Sequence, residues 1–205
     1  NPDFIESYKK MIGKMKDTRG LIIDVRNNFG GDYTNLAQTV LATFLEKDRV
    51  TLFKSFSNSP LYHRYGFGGV HFQHDSGYTG KLYAPVTVST SSAAHIHYDK
   101  PVVLLVNQKH FSSTDLFITA WHELEIGPII GRLNTFQMLG QPIYISETPW
   151  NDWTLSLSVM LPRSPRGILY DDRTITPDIS VSLSKKEIFG LSDPILERAV
   201  DFLAE

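Results

Sequence analysis

Cysteine is missing from this chain of 205 residues. Its absence excludes disulfides, thiolate metal sites and a cysteine nucleophile. The chain also has no apolar run of membrane-spanning length, and its formal net charge is only −2. We therefore expect neither a membrane span nor a nucleic-acid partner. With 41% hydrophobic and 20% charged residues, the composition is typical of one globular domain over residues 1–205.

Apolar residues along the chain change repeatedly between strand-like and helical spacing. Helices are predicted over residues 4–15, 36–45, 115–123 and 193–204, and strands over residues 21–25, 50–56, 101–106, 126–131, 142–146 and 154–162. Such alternation is typical of parallel strands joined by crossover helices. The sequence therefore predicts an α/β fold with a parallel-rich central sheet.

The most informative segment runs from Leu21 to Gly31 and reads Leu-Ile-Ile-Asp-Val-Arg-Asn-Asn-Phe-Gly-Gly. Its aliphatic start predicts a strand buried on both faces, with Asp24 and Arg26 at the polar end. The double glycine that follows allows a sharp turn and a close approach of the backbone to another group. Backbone N–H groups exposed in such a turn can stabilise a developing oxyanion. A plain turn between a strand and a helix is the alternative interpretation.

The order Asp-x-Arg-x-Asn-x-Gly-Gly after an aliphatic strand resembles the signature of the S41 serine peptidases, which include the carboxyl-terminal processing and tricorn-type proteases. Later segments resemble the same family in the same order: residues 100–107, 111–115, 129–131, 176–179 and 193–196. The resemblance implies a crotonase- or ClpP-like ββα superhelix and serine-type endopeptidase activity on a peptide or protein substrate. It also implies no cofactor, and a location in the periplasm, outside the cell or attached to the cell envelope.

Ser112 is the candidate nucleophile, because it falls on the position of the family's reactive serine. It follows a buried strand and begins a helix, so its hydroxyl is expected near the free N–H groups of the helix N-terminus. Without the resemblance, Ser112 and Asp115 would instead indicate a helix N-cap with a near capping box. Both interpretations place Ser112 at the start of the helix, and they differ in what its hydroxyl does.

The resemblance also implies an oxyanion hole beside Ser112. The backbone N–H of Ser113 would supply one donor, and that of Gly30 or Gly31 the other. Asp115 and Arg26 are expected to support this site.

A serine nucleophile needs a proton acceptor, and here the sequence departs from the family. Processing proteases use a lysine after the strand that matches residues 129–131. Counting the same distance in this chain gives Gln137, or Met138 with a one-residue gap, and neither side chain can take a proton. The tricorn-type branch uses a histidine before the first helix. That histidine would lie upstream of Asn1, and we expect at least one upstream strand there.

Other groups of the chain are also candidates for the proton relay. Asp171 takes the place of the late glutamate of the tricorn-type branch and is the second predicted catalytic residue. Lys109 lies close in sequence but precedes the nucleophile, and His110 and His122 are in-chain alternatives for the base. On its helix beside a tryptophan, His122 is better interpreted as a packing or surface residue.

Residues 57–99 fit the family poorly and form an insert rich in aromatic residues and histidines. The spacings His71-x-x-His74 and His95-x-His97 could each ligate a metal. No carboxylate lies at a spacing that completes such a site, so we expect loop and hairpin structure and no bound metal.

Two functions stay open at the level of sequence. The first is an S41-type serine peptidase whose base comes from upstream of this chain. The second is a catalytically inactive S41-like domain that binds a peptide or a small apolar ligand. The missing lysine favours the second, whereas Ser112, the glycine pair and Asp171 favour the first.

Overall fold

The computed structural model describes residues 2–31, 39–46, 50–57, 72–74, 81–83, 86–88, 96–132, 142–145, 155–158, 161–168 and 174–205. In the strands between residues 53 and 95 and between 142 and 162 it describes the backbone alone. The helices of this part are α1 Pro2–Lys14, a 3-10 helix Leu41–Phe44, α2 Ser113–Glu123, α3 Lys185–Ile188 and α4 Pro194–Ala204. The strands are β1 Leu21–Asp24, β2 Val50–Ser57, β3 Phe72–His74, β4 Lys81–Tyr83, β5 Val86–Val88, β6 Val102–Leu105, β7 Ile129–Gly131, β8 Pro142–Ile145, β9 Leu155–Ser158, β10 Leu161–Arg163 and β11 Ile179–Ser180.

A parallel four-stranded sheet with the order β1-β6-β7-β11 lies at the centre of the described fold. Strand β1 pairs with β6 in a register that sets Leu21 opposite Val102. Helix α2 connects β6 to its parallel neighbour β7, which is the crossover arrangement that parallel pairing requires. The predicted α/β fold with a parallel-rich sheet is therefore confirmed.

Side chains of β6 alternate between two apolar layers, because successive residues of a strand point to opposite faces of the sheet. Val102 and Leu104 join a core that contains Phe117 and Trp121 of α2. Val103 and Leu105 join a second core on the other face, together with Ile195 and Ala199 of α4. Helices thus cover both faces of β6, which explains its continuous aliphatic sequence.

Strand β1 is less buried than its sequence predicts. Leu21, Ile22 and Ile23 are each only partly buried, whereas every residue of β6 is buried. The reason is position, because β1 stands at the end of the described strand order and has β6 as its described neighbour. Leu21 and Ile23 pack against one core and Ile22 against the other, so β1 is covered on both faces as expected, but only in part.

Two further elements differ from the sequence-based prediction. The helix predicted over residues 36–45 is described only from residue 39 onward, where it ends in the 3-10 helix. The single strand predicted over residues 154–162 is two strands, since β9 pairs with β8 and β10 pairs with β2. Alternating apolar residues predicted the extended conformation, but they carry no information on a change of partner strand.

The insert contributes strands to an antiparallel sheet with the order β10-β2-β4-β3, and β5 pairs with β2. Strands β3 and β4 form an antiparallel pair, as the hairpin interpretation predicts. His71 and His95 lie outside the described residues. In the described part of the chain, no three histidine or carboxylate side chains come together as metal ligands. No helix in that part is both long and apolar enough to cross a bilayer.

An ion-pair bridge ties the end of β1 to the last helix. The Arg26 guanidinium donates to both carboxylate oxygens of Asp24 at 2.7–3.1 Å and to both of Asp193 at 2.8 Å. Asp193 is also the N-cap of α4, where its Oδ1 accepts a hydrogen bond from the backbone N–H of Leu196. The hydrogen bonds from Arg26 lower the pKa of Asp193, and those to Asp24 and Asp193 raise the pKa of Arg26. The glycine-rich turn after β1 is thereby anchored to α4.

Replacement of Asp193 separates its two roles. Asp193→Asn keeps a good helix cap and loses only the ion pair, so we expect a loss of about 0.5–1 kcal/mol in the free energy of unfolding near neutral pH. Asp193→Ala loses the cap as well and should cost about 1 kcal/mol more. Denaturant titration of the three proteins measures both differences.

The pH dependence of the same variants provides the control. Because folding lowers the pKa of Asp193, its contribution is present above the ordinary aspartate pKa of about 4 and is lost as the pH falls through the lower folded-state value. The stability gap between wild type and Asp193→Asn should therefore close in acid. A gap of constant size from pH 7 to pH 3 would contradict the ion-pair assignment.

Candidate active site

Two turns meet at the carboxyl ends of β1 and β6, because neighbouring parallel strands end at the same edge of a sheet. The first turn contains Gly30 and Gly31, and the second leads through Phe111 to Ser112. A Cβ atom built on Gly30 would lie 2.8 Å from Phe111 O, 2.8 Å from Ser112 Cβ and 2.9 Å from Ser113 N. Only glycine allows this approach, and its φ of +87° also disfavours a side chain there. The predicted meeting of the glycine turn with Ser112 is confirmed.

Asparagine side chains hold the two turns together at their bases. Asn107 Nδ2 donates to Asn27 Oδ1 at 3.1 Å, and Asn107 Oδ1 accepts from the Asn27 backbone N–H at 3.2 Å. The same Oδ1 accepts from the Lys109 backbone N–H at 3.0 Å, which bends the chain after β6. Asn27 has a φ of +58°, a conformation that asparagine tolerates better than most residues.

Hydrogen bonds nearer the serine fix the turns against helix α2. Asn28 Oδ1 accepts from Thr114 Oγ1 at 2.8 Å and from the Gly30 backbone N–H at 2.9 Å. Ser113 Oγ donates to the Gly31 carbonyl oxygen at 2.5 Å. The first turn of α2 and the glycine turn therefore form one hydrogen-bonded unit around Ser112.

Ser112 lies on a strained turn between strand and helix, with φ +65° and ψ −125°. A side chain in such a backbone conformation costs on the order of 1–3 kcal/mol and persists only where the surrounding structure imposes it. Ser112 occupies the N-cap position of α2, but its side chain makes no capping hydrogen bond within the described structure. The capping-box interpretation is therefore wrong, and the hydroxyl is available for another role.

Backbone donors around Ser112 differ in whether they are already engaged. The Gly30 N–H is taken by Asn28 Oδ1. For the backbone N–H groups of Gly31 and Ser113, by contrast, the described part of the chain shows no acceptor. Of the two glycines considered from sequence, Gly31 is thus the one whose backbone N–H has no acceptor among the described residues.

A buried hydrogen bond spans the serine turn from below. His110 Nδ1 and Asp115 Oδ1 are 2.7 Å apart, and both side chains are fully buried. His110 Nε2 is also buried and has no hydrogen-bond partner among the described residues, Ser112 included. The pair joins the residue two positions before Ser112 to the residue three positions after it. Asp115 therefore lies beneath the serine turn, where it contacts a histidine that the sequence offered only as a base, and its supporting role stays a prediction.

For the other predicted residues, the described structure shows no contact with Ser112. His122 is exposed near the C-terminal end of α2, about 15 Å along the helix from its start, since each residue adds 1.5 Å. It lines a surface cleft with Arg166 and Asp178, so His122 as the base is wrong. Lys109 is exposed on the turn before the serine. Arg26 is engaged by the two aspartates of the bridge.

The remaining predicted residues lie outside the described part of the chain. These are Asp171, the proposed supporting carboxylate, and Gln137 and Met138, which stand at the family's lysine position. Their roles stay predictions.

A serine on a strained strand-to-helix turn of an α/β fold is the arrangement that serine hydrolases use to present a nucleophile. Residues 2–181 match the sequence profile of peptidase family S41, and the chain therefore belongs to this family, whose members are hydrolases. The family resemblance of the glycine motif is thereby confirmed. No curated protein matches the chain in sequence.

Solved structures of similar fold include S41 proteases. One is described as a candidate peptidase from Parabacteroides merdae, with 23% identity and a TM-score of 0.74 over 98% of this chain and 57% of that one. The photosystem II D1 C-terminal processing protease has 19% identity and a TM-score of 0.59, over 89% of this chain and 40% of its own. Mature CPAF complexed with lactacystin has 18% identity and a TM-score of 0.69, over 98% and 45%. The chain thus spans about half the length of these proteins.

Substitution of Gly30 tests the contact between the two turns. Gly30→Ala should cost more than about 3 kcal/mol of folding free energy, because positive-φ strain of about 1 kcal/mol adds to overlap with Phe111 and Ser112. The matched control is Gly167→Ala, since Gly167 has φ +84° and no described atom within 4 Å of the added Cβ. It should show the strain alone. Equal losses in chemical denaturation would contradict the close approach.

Proposed function

We propose that this chain is the catalytic core of a serine-type peptidase that hydrolyses peptide bonds through Ser112. The observation that carries the proposal is the strained backbone of Ser112, whose hydroxyl makes no capping bond in the described structure and whose Cβ faces the glycine turn. Membership of a peptidase family supports the same chemistry. The substrate is a peptide or protein, and no cofactor is required for the reaction.

In the proposed reaction, Ser112 Oγ attacks the carbonyl carbon of the scissile peptide bond while a base takes the hydroxyl proton. The backbone N–H groups of Gly31 and Ser113 stabilise the oxyanion of the tetrahedral intermediate. The C–N bond then breaks, the amine leaves with the proton held by the base, and an ester to Ser112 remains. Water, activated by the same base, hydrolyses this ester and restores the serine.

The base of this reaction is proposed to come from sequence outside the described residues, as a histidine upstream of Asn1. His110 is then a positioning residue. Its Nε2 has no partner among the described residues and its Nδ1 is held by Asp115, so the pair supports the serine turn from inside the core. Asp171 is proposed as the carboxylate that assists the base.

A location outside the cytoplasm is part of the same proposal. It rests on the family resemblance, and one structure of similar fold, at 19% identity, is that of a lipoprotein from Streptococcus agalactiae.

Reaction with a fluorophosphonate tests the nucleophile. In the full-length protein, Ser112 Oγ should form a bond to phosphorus with loss of fluoride, and Ser112→Ala should abolish both labelling and peptide hydrolysis. Because Ser112 makes no described capping bond, Ser112→Ala should leave the free energy of unfolding within about 0.5 kcal/mol of wild type. Mass spectrometry of the labelled peptide and denaturant titration measure the two effects.

Ser112→Gly is the matched control for strain. Glycine tolerates the positive φ, so this variant should be at least as stable as Ser112→Ala and equally inactive. A protein that folds but is neither labelled nor active would favour the alternative, a catalytically inactive peptide-binding domain. Labelling that survives in Ser112→Ala would remove Ser112 from its proposed role.

His110 variants separate positioning from base catalysis. Asn places an amide donor close to the His110 Nδ1 position, so His110→Asn should keep the bond to Asp115 and retain much of kcat. His110→Ala should lower the free energy of unfolding by on the order of 2 kcal/mol, because it leaves a buried carboxylate oxygen without this donor. Steady-state kinetics and denaturation measure the two effects. Equal loss of turnover in both variants, with the stability of His110→Asn intact, would instead identify His110 as the base.

A further inference from the structure

Two phenylalanine side chains stand exposed at the junction of the two turns. Phe29 is 61% exposed and Phe111 is 42% exposed, although both are large and apolar. Their ring centroids are 5.4 Å apart with an interplanar angle of 45°. Neither side chain belongs to the two apolar cores that flank the central sheet. Phe29 and Phe111 therefore form an aromatic pair that lies at the surface and contributes little to the buried core.

The amino-acid sequence places the aromatic pair directly beside the candidate site. Phe29 directly precedes Gly30, and Phe111 directly precedes Ser112. The backbones of the two turns are in contact at this point, since a Cβ on Gly30 would touch Phe111 O and Ser112 Cβ. The two rings consequently sit within one residue of the candidate nucleophile on one side and of the candidate oxyanion turn on the other.

We propose that the aromatic pair is a substrate subsite that receives a large apolar side chain of a residue next to the scissile bond. This inference rests on the proposed function of Ser112. Exposed apolar surface of this kind marks interaction sites, because covering it removes apolar area from water. When a peptide binds with its scissile bond at Ser112, a side chain next to that bond reaches the aromatic pair, because it is attached within one residue of the bond.

The chemistry of the two rings defines the class of side chain. With centroids 5.4 Å apart, the two tilted rings pack against each other and offer one continuous apolar surface that a leucine, methionine or phenylalanine side chain can cover. An alanine methyl is too short to cover both rings, and a carboxylate would lose hydration against their apolar surface. The subsite therefore selects large apolar residues over small or acidic ones.

Two matched series of internally quenched peptides test the subsite on the full-length protein. One series varies the residue on the acyl side of the scissile bond as Phe, Leu, Ala or Glu, and the other varies the residue on the amine side. In one of the two series, Phe29→Ala and Phe111→Ala should each lower kcat/KM for the Phe and Leu peptides by about tenfold, because they remove apolar contact area. The Ala peptide of that series should change by less than about twofold. Phe29→Leu and Phe111→Leu should keep most of the preference.

Phe189→Ala is the matched control, since Phe189 is 76% exposed and lies beyond α3, apart from the serine turn in sequence. It should leave every peptide unchanged. Equal losses on all peptides of both series would overturn the subsite and indicate a general effect on the turn. A loss of stability in Phe29→Ala or Phe111→Ala without any change in peptide preference would also overturn it, because another part of the protein would then cover the rings.

Peptide binding to Ser112→Ala separates the subsite from the proposed catalysis. Fluorescence anisotropy with dye-labelled Phe and Ala peptides should give an affinity ratio of about ten, and adding Phe111→Ala should reduce this ratio to near one. If hydrolysis proves independent of Ser112, the proposed function fails while this binding ratio still decides the subsite. A ratio near one before Phe111 is changed would overturn the subsite even in an active enzyme.

Discussion

Gly30 lies so close to the serine turn that a Cβ on it would be 2.8 Å from Phe111 O and from Ser112 Cβ, and much of the remaining site geometry depends on this close approach. It requires β1 and β6 to be parallel neighbours in the observed register, because only then do both turns leave the sheet at the same height. It also requires glycine at position 30. With the two turns in contact, the strained conformation of Ser112 is held by surrounding hydrogen bonds rather than by its own side chain.

Much of this arrangement could be predicted from sequence because it is local. The aliphatic runs of β1 and β6, the glycine pair and the helix after Ser112 each leave a pattern within a few residues, and parallel pairing follows from the alternation of strands and helices. The meeting of the turns at one edge then follows from topology, whereas the register is a finding of the structure. Burial was predicted less well, since β1 has the same aliphatic character as β6 but a different place in the sheet.

The contacts that hold the site could not be predicted, because they join residues far apart in sequence. The reciprocal bonds between Asn27 and Asn107 span 80 residues, and nothing in either local sequence identifies the other. His110 and Asp115 are only five residues apart, but the local sequence fits both a helix cap and a residue pair beneath the site. A serine followed three residues later by an acid is typical of a helix cap, and only the structure shows that the acid bonds to a buried histidine instead.

The link between Arg26 and Asp193 has a consequence for the order in which the molecule is assembled. It joins positions 167 residues apart, so the glycine turn acquires this ion pair only when the final helix docks, whereas its hydrogen bonds to the serine turn and α2 do not need that helix. A ribosome delivers that helix after every candidate catalytic residue of the chain, and closing so long a loop comes late in folding. Helix α4 contributes the carboxylate of Asp193, which fixes Arg26 at the start of the glycine turn. A chain cut short before α4 would therefore carry Ser112 opposite a glycine turn that lacks the ion pair to Asp193.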